Sequence, residues 1–92
     1  MGPLEKVVIR IVLEQRNIMG PVALEQARKV PGLTIDLATP EVVLDGRKAD
    51  VVDELVRSYR RLFGQAAVEV CKEAARPLLE GVPHNLRPLL LT

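Results

Sequence analysis

Residues 7–30, VVIRIVLEQRNIMGPVALEQARKV, and residues 51–74, VVDELVRSYRRLFGQAAVEVCKEA, align without a gap at an offset of 44. Identical pairs are Val7/Val51, Val8/Val52, Val12/Val56, Arg16/Arg60, Gly20/Gly64, Ala23/Ala67 and Glu25/Glu69. Conservative pairs such as Ile18/Leu62, Met19/Phe63 and Arg28/Lys72 extend the match. Two amphipathic helices share some pattern by composition alone, but this agreement exceeds that and predicts an internal duplication. In each copy a glycine is followed by small residues three and seven positions on: Gly20, Ala23 and Ala27, then Gly64, Ala67 and Cys71. Side-chain bulk sets how closely helices approach. These six residues therefore form a stripe expected to act as a helix-packing or dimer seam.

The apolar positions around the stripe have helical spacing. Leu4, Val7, Val8, Ile11, Val12, Ile18 and Met19 recur at steps of three and four, interrupted on that face by Gln15. Gly20-Pro21 kinks or restarts the helix, because proline lacks an N–H and crowds the preceding turn. A second helical stretch then runs over 21–30 and stops at Pro31-Gly32. In the other copy Asp50 reads as an N-cap, with Asp53 and Glu54 in the first turn. The apolar phase continues through Gly64, which predicts one long helix to about Arg76, bent at Gly64 and ended by Pro77.

Between the copies, Leu33, Ile35 and Leu37 alternate with Thr34 and Asp36, and Val42-Val43-Leu44 follows a Thr39-Pro40 turn. This is a β-hairpin signal, and a lone hairpin must lie on something to be stable. The tail 77–92 carries Gly81, Pro83 and Pro88, with Leu86, Leu89, Leu90 and Leu91 to dock it. The predicted architecture is a single mainly α domain over 1–92 with a small β-hairpin (α+β). Repeat 1 spans about 4–30, the hairpin about 33–45 and repeat 2 about 50–76.

Composition bounds the function. The 92 residues form one small domain, with 48% hydrophobic residues but only Tyr59 and Phe63 aromatic. Aliphatic surface beyond what so short a chain can bury points to self-association as a homodimer. Thirteen basic against twelve acidic residues argue against a dedicated nucleic-acid or anionic-membrane binder. The lone Cys71 excludes an internal disulfide and fits a reducing cytoplasm. No apolar run suggests a leader or a membrane span, and sparse Asn, Gln, Ser and Cys fit a thermophile.

Candidate sites are few. His84 lies in a loop with no Cys or Asp nearby in the sequence, and Cys71 reads as a small buried hydrophobe. Arg47, Lys48, Arg57, Arg60 and Arg61 make a candidate anion or nucleic-acid patch, although Asp53 and Glu54 are spaced to pair with Arg57. Helix 21–30 has no recognition helix after it, which weighs against a DNA-reading module. No P-loop, GxGxxG, GxSxG or HExxH occurs, so neither a cofactor nor catalysis is expected.

The stretch Tyr59–Ala67 and its counterpart Ile18–Ala23 resemble a G-P-x-A helix motif of small prokaryotic helical domains of uncharacterised activity, some attached to signalling proteins. The first copy carries it as Gly20-Pro21-Val22-Ala23, and the second departs from it with Gln65 in place of proline. The resemblance implies a helical interaction module. The expected function is protein–protein interaction or oligomerisation, as a signalling or regulatory accessory, with nucleic-acid binding through the basic face as the alternative.

Overall fold

A computed structural model describes residues 1–92. The elements in order are α1 (Pro3–Met19), α2 (Val22–Arg28), β1 (Leu33–Asp36), β2 (Glu41–Leu44), α3 (Lys48–Phe63) and α4 (Gln65–Leu79). Two 3-10 turns, His84–Leu86 and Leu89–Leu91, complete the chain. The fold is mainly α with one small antiparallel hairpin.

Each pair of helices breaks at its glycine. Gly20 has φ 69° and ψ −146°, and Gly64 has φ 72° and ψ −161°, a region of backbone space that only glycine occupies readily. The two corners have the same hydrogen bonds. Gly20 N–H donates to Arg16 O at 2.9 Å and Gly64 N–H to Arg60 O at 2.7 Å. On the far side, Ala23 N–H donates to Gly20 O and Ala67 N–H to Gly64 O, both at 3.1 Å. The expected long helix bent at Gly64 is therefore two helices meeting at a corner. Its apolar phase runs on because a single residue separates α3 from α4 and both present their stripes to the same core.

Two other boundaries differ from expectation. Arg47, not Asp50, precedes the first turn of α3, and Asp50 lies inside that turn. Pro77 does not stop α4, which continues to Leu79. Pro77 and Glu73 are both exposed, so the Glu73 carbonyl that loses its helical donor to the proline ring lies where water reaches it.

The halves interlock. α1 packs chiefly on α4, and α3 packs on both α4 and α2, so the first helix of each half lies against the second helix of the other. Each helical pair is then covered by the segment that follows it. The hairpin lies over α1 and α2, and the last 3-10 turn lies over α3 and α4. In the hairpin Leu33 pairs with Leu44 and Ile35 with Val42, and all four side chains are buried. Asp36 Oδ1 accepts the Ala38 N–H at 2.8 Å in its turn. One cluster of 24 buried apolar residues runs through both halves and includes Val82 and Leu91 of the tail.

The tail is held by a carboxylate. Asp53 is buried, and its two oxygens accept the N–H groups of Leu89 at 3.1 Å and Leu90 at 2.9 Å. Leu91 is buried there, while Leu86 and Leu89 are exposed. Glu5, at the start of α1, is also buried and pairs with Lys48 Nζ at 2.8 Å, fastening the start of α1 to the start of α3.

Candidate functional site

The small-residue stripe divides on inspection. Ala23, Ala27, Ala67 and Cys71 are buried within the chain, where the two halves meet. Gly20 and Gly64 are not part of that contact: a Cβ on either would meet nothing within 4 Å. Their small size serves the backbone corner and not close helix approach. The seam thus joins the halves of one chain, and its four buried members have no surface to offer a second molecule.

Two polar side chains cross this seam in a reciprocal arrangement. Gln15 Nε2 donates to Ala67 O at 2.9 Å, and Tyr59 Oη donates to Ala23 O at 2.7 Å. Gln15 and Tyr59 are equivalent under the offset of 44, as are Ala67 and Ala23. In an isologous dimer residue i meets residue j while j meets i, and here that relation holds inside one chain. Gln15 also reaches Cys71 Sγ at 3.3 Å. Burial pushes the Cys71 thiol up to about 11, with the Gln15 hydrogen bond opposing the shift. Burial, then the neighbouring Cys71, raises the Tyr59 phenol. Both groups are held neutral, which suits packing and disfavours nucleophilic use. Sequence reasoning treated Gln15 only as a gap in an apolar face. The offset that pairs it with Tyr59 was the available signal.

The basic residues do not converge. Arg47 and Arg61 are separated by nearly the whole of α3, about 21 Å at 1.5 Å per residue. Arg47 lies 3.6 Å from Asp50, Lys48 2.8 Å from Glu5, Arg57 3.6 Å from Glu54 and Arg61 3.0 Å from Glu54. Arg60 alone of the five has no carboxylate within ion-pair distance. Asp53, spaced to pair with Arg57, faces the tail instead. His84 is exposed with Arg87 Nη1 at 3.3 Å from Nδ1, and no three His, Cys, Asp or Glu side chains gather in a metal-binding group.

A surface missed by the sequence reading lies between α1 and α4. A groove of about 450 Å³ has Arg10, Glu14 and Ile18 on one wall and Glu69, Val70 and Glu73 on the other. A second hollow of about 270 Å³ shares Arg10 and Pro77 with it and extends it past Leu13 and Ile9 to Lys6. Together they follow α1 from Lys6 to Ile18, about 18 Å of helix. Ile18 is 63% exposed, and Ile9 and Leu13 are half-buried. Charge is unevenly spread, with Lys6 and Arg10 toward one end and Glu14, Glu69 and Glu73 toward the other. Glu69 and Glu73 pair locally with Lys72 and Arg76. Lys6, Arg10 and Glu14 take part in none of the six ion pairs of the molecule.

The offset of 44 allows the two halves to be compared position by position. Under the offset of 44, Glu14 and Val70 correspond to Ser58 and Gln26. There Ser58 Oγ donates to Gln26 Oε1 at 3.2 Å, tying α3 to α2. Ile9 and Leu13 correspond to Asp53 and Arg57, which hold the tail and an ion pair respectively. At these positions α1 lacks the hydrogen bonds and the ion pair that its counterpart makes. No family model, curated protein or solved structure matches the chain, and no helix is long and apolar enough to cross a membrane.

Proposed function

We propose that this chain is a protein–protein interaction module that works by self-association, as a homodimer, in the cytoplasm. The observation that carries the reading is the α1/α4 groove, lined by half-buried Leu13 and by Ile18, which is 63% exposed, on a helix whose inner side is already packed. Exposed apolar surface of this kind is the usual mark of a contact site. The G-P-x-A resemblance supports a role as an accessory to signalling or regulatory proteins. Buried, neutral Cys71 and Tyr59 and the scattered charges favour contact over catalysis as its mode of action.

Nucleic-acid binding through Arg47, Lys48, Arg57, Arg60 and Arg61 has weaker support, because most of these cations already face carboxylates. Light scattering on the 10.2 kDa chain, together with titration of generic duplex DNA at low salt, separates the readings. The module predicts twice the chain mass at micromolar concentration and no DNA binding. A monomer that binds duplex with a steep salt dependence would reverse the choice.

A further inference from the structure

We propose that the α1/α4 groove seats a second copy of this chain, with the two α1 helices antiparallel across a two-fold axis passing between Arg10 and Glu14. This assignment rests on the self-association reading above and names its surface. The occupant follows from the charge order along α1. Lys6 and Arg10 precede Glu14, so turning a second α1 end for end brings Arg10 of each copy against Glu14 of the other. A surface that is basic at one end and acidic at the other is complementary to itself under a two-fold rotation. Leu13 lies beside the axis and meets its own copy, and Ile18, on the α4 side of Arg10 and Glu14, extends the apolar contact. Lys6, Arg10 and Glu14 are all left without an ion-pair partner by the chain itself, and of these Arg10 and Glu14 flank the axis.

The matching face of α3 shows why that side does not serve. Where α1 has Ile9, Arg10 and Leu13, α3 has Asp53, Glu54 and Arg57. Asp53 is occupied by the tail, and Glu54 is already paired with Arg57 and Arg61. The buried alanine seam between the halves serves the single chain, so the second copy takes the outer groove.

The test uses the full chain with Arg10→Glu, Glu14→Arg and Leu13→Glu, each checked for native helicity and melting, and Val43→Glu on the exposed hairpin as control. Sedimentation velocity gives the dimer dissociation constant. Arg10→Glu places two carboxylates together twice per dimer, Glu14→Arg places two cations together twice, and Leu13→Glu puts carboxylates at the axis. Each variant is expected to weaken the dimer at least about tenfold, with Val43→Glu unchanged. Mixing Arg10→Glu with Glu14→Arg is expected to restore a heterodimer, since both cross-axis pairs are then attractive. A folded dimer insensitive to all three changes would overturn this interface while leaving self-association standing. A wild-type chain that stays monomeric at high micromolar concentration would overturn both.

Discussion

Gln15 and Tyr59, equivalent residues in the two halves of the chain, each donate a hydrogen bond to the carbonyl of the equivalent alanine in the opposite half. Both bonds are buried, and both span the junction where α1 meets α4 and α3 meets α2. They tie the two halves of the chain to each other. Tyr59→Phe removes one bond with little change of shape and should lower stability by about 1 kcal/mol. Gln15→Ala removes the other bond and leaves a cavity, and should cost about 2–4 kcal/mol. Urea unfolding of the two variants checks the order.

The glycine corners carry a second prediction. Gly20→Ala and Gly64→Ala should each cost about 1–3 kcal/mol even though space is open around both positions, because the strain lies in the backbone. Gly81 has no positive φ and only ordinary contacts for a Cβ. Gly81→Ala should therefore stay within about 0.5 kcal/mol of wild type. Equal thermal melts for Gly64→Ala and Gly81→Ala would contradict the corner geometry.

How much of this was legible in the sequence depends on the element. The apolar spacing of Val7 to Val12 and Val51 to Val56 located α1 and α3, and the alternation of Leu33 to Leu37 located the hairpin. Both follow from a residue's position relative to one neighbouring surface. Helix partnership is a different matter. Nothing in the local pattern says that α1 lies on α4, so Gly64 resembled a bend within a stripe when it is a corner between two stripes. Asp53 shows the same limit. Its i+4 arginine made an ion pair the natural reading, but the tail that it holds is far away in sequence. The α1/α4 groove was invisible because Ile18, in step with the core set, is exposed, and nothing in the sequence placed Leu13 beside α4.

Asp53 should govern the tail. Asp53→Ala leaves the Leu89 and Leu90 N–H groups without their buried acceptor and should cost about 2–3 kcal/mol. Amide exchange at Leu89 and Leu90 should accelerate well beyond that of α1 residues in the same variant. If both amides remain as protected as in wild type, the carboxylate does not hold the tail.

Glu5 provides a pH dependence. Burial pushes its carboxyl up, but the Lys48 hydrogen bond and charge, a bond from its own backbone N–H and the N-terminal amine outweigh this, and the net shift is downward. A carboxyl lowered in the folded state contributes stability that is fully present above its ordinary value of 4.5 and disappears as pH falls through the folded value. One oxygen, Oε1, has no partner, and Lys48 is half-exposed, so the contribution should be only about 1 kcal/mol. Glu5→Gln should melt below wild type at pH 7 and converge with it well below pH 4.5. A gap that persists at low pH would assign the loss to packing.

Cys71 should be chemically silent in the folded chain. With the thiol buried and its pKa pushed up to about 11, a disulfide reagent at pH 8 should react only through opening of the structure. The rate should rise to that of a free thiol in denaturant. Rapid native labelling would place Cys71 outside the seam.

The central claim is that the outer groove of α1 and α4 makes this chain associate with itself, and the mass of the unmodified chain in solution tests it most directly. Sedimentation equilibrium across the micromolar range should give twice 10.2 kDa, with dissociation favoured as salt screens the Arg10–Glu14 contacts. A mass of 10.2 kDa at every concentration and salt would contradict it.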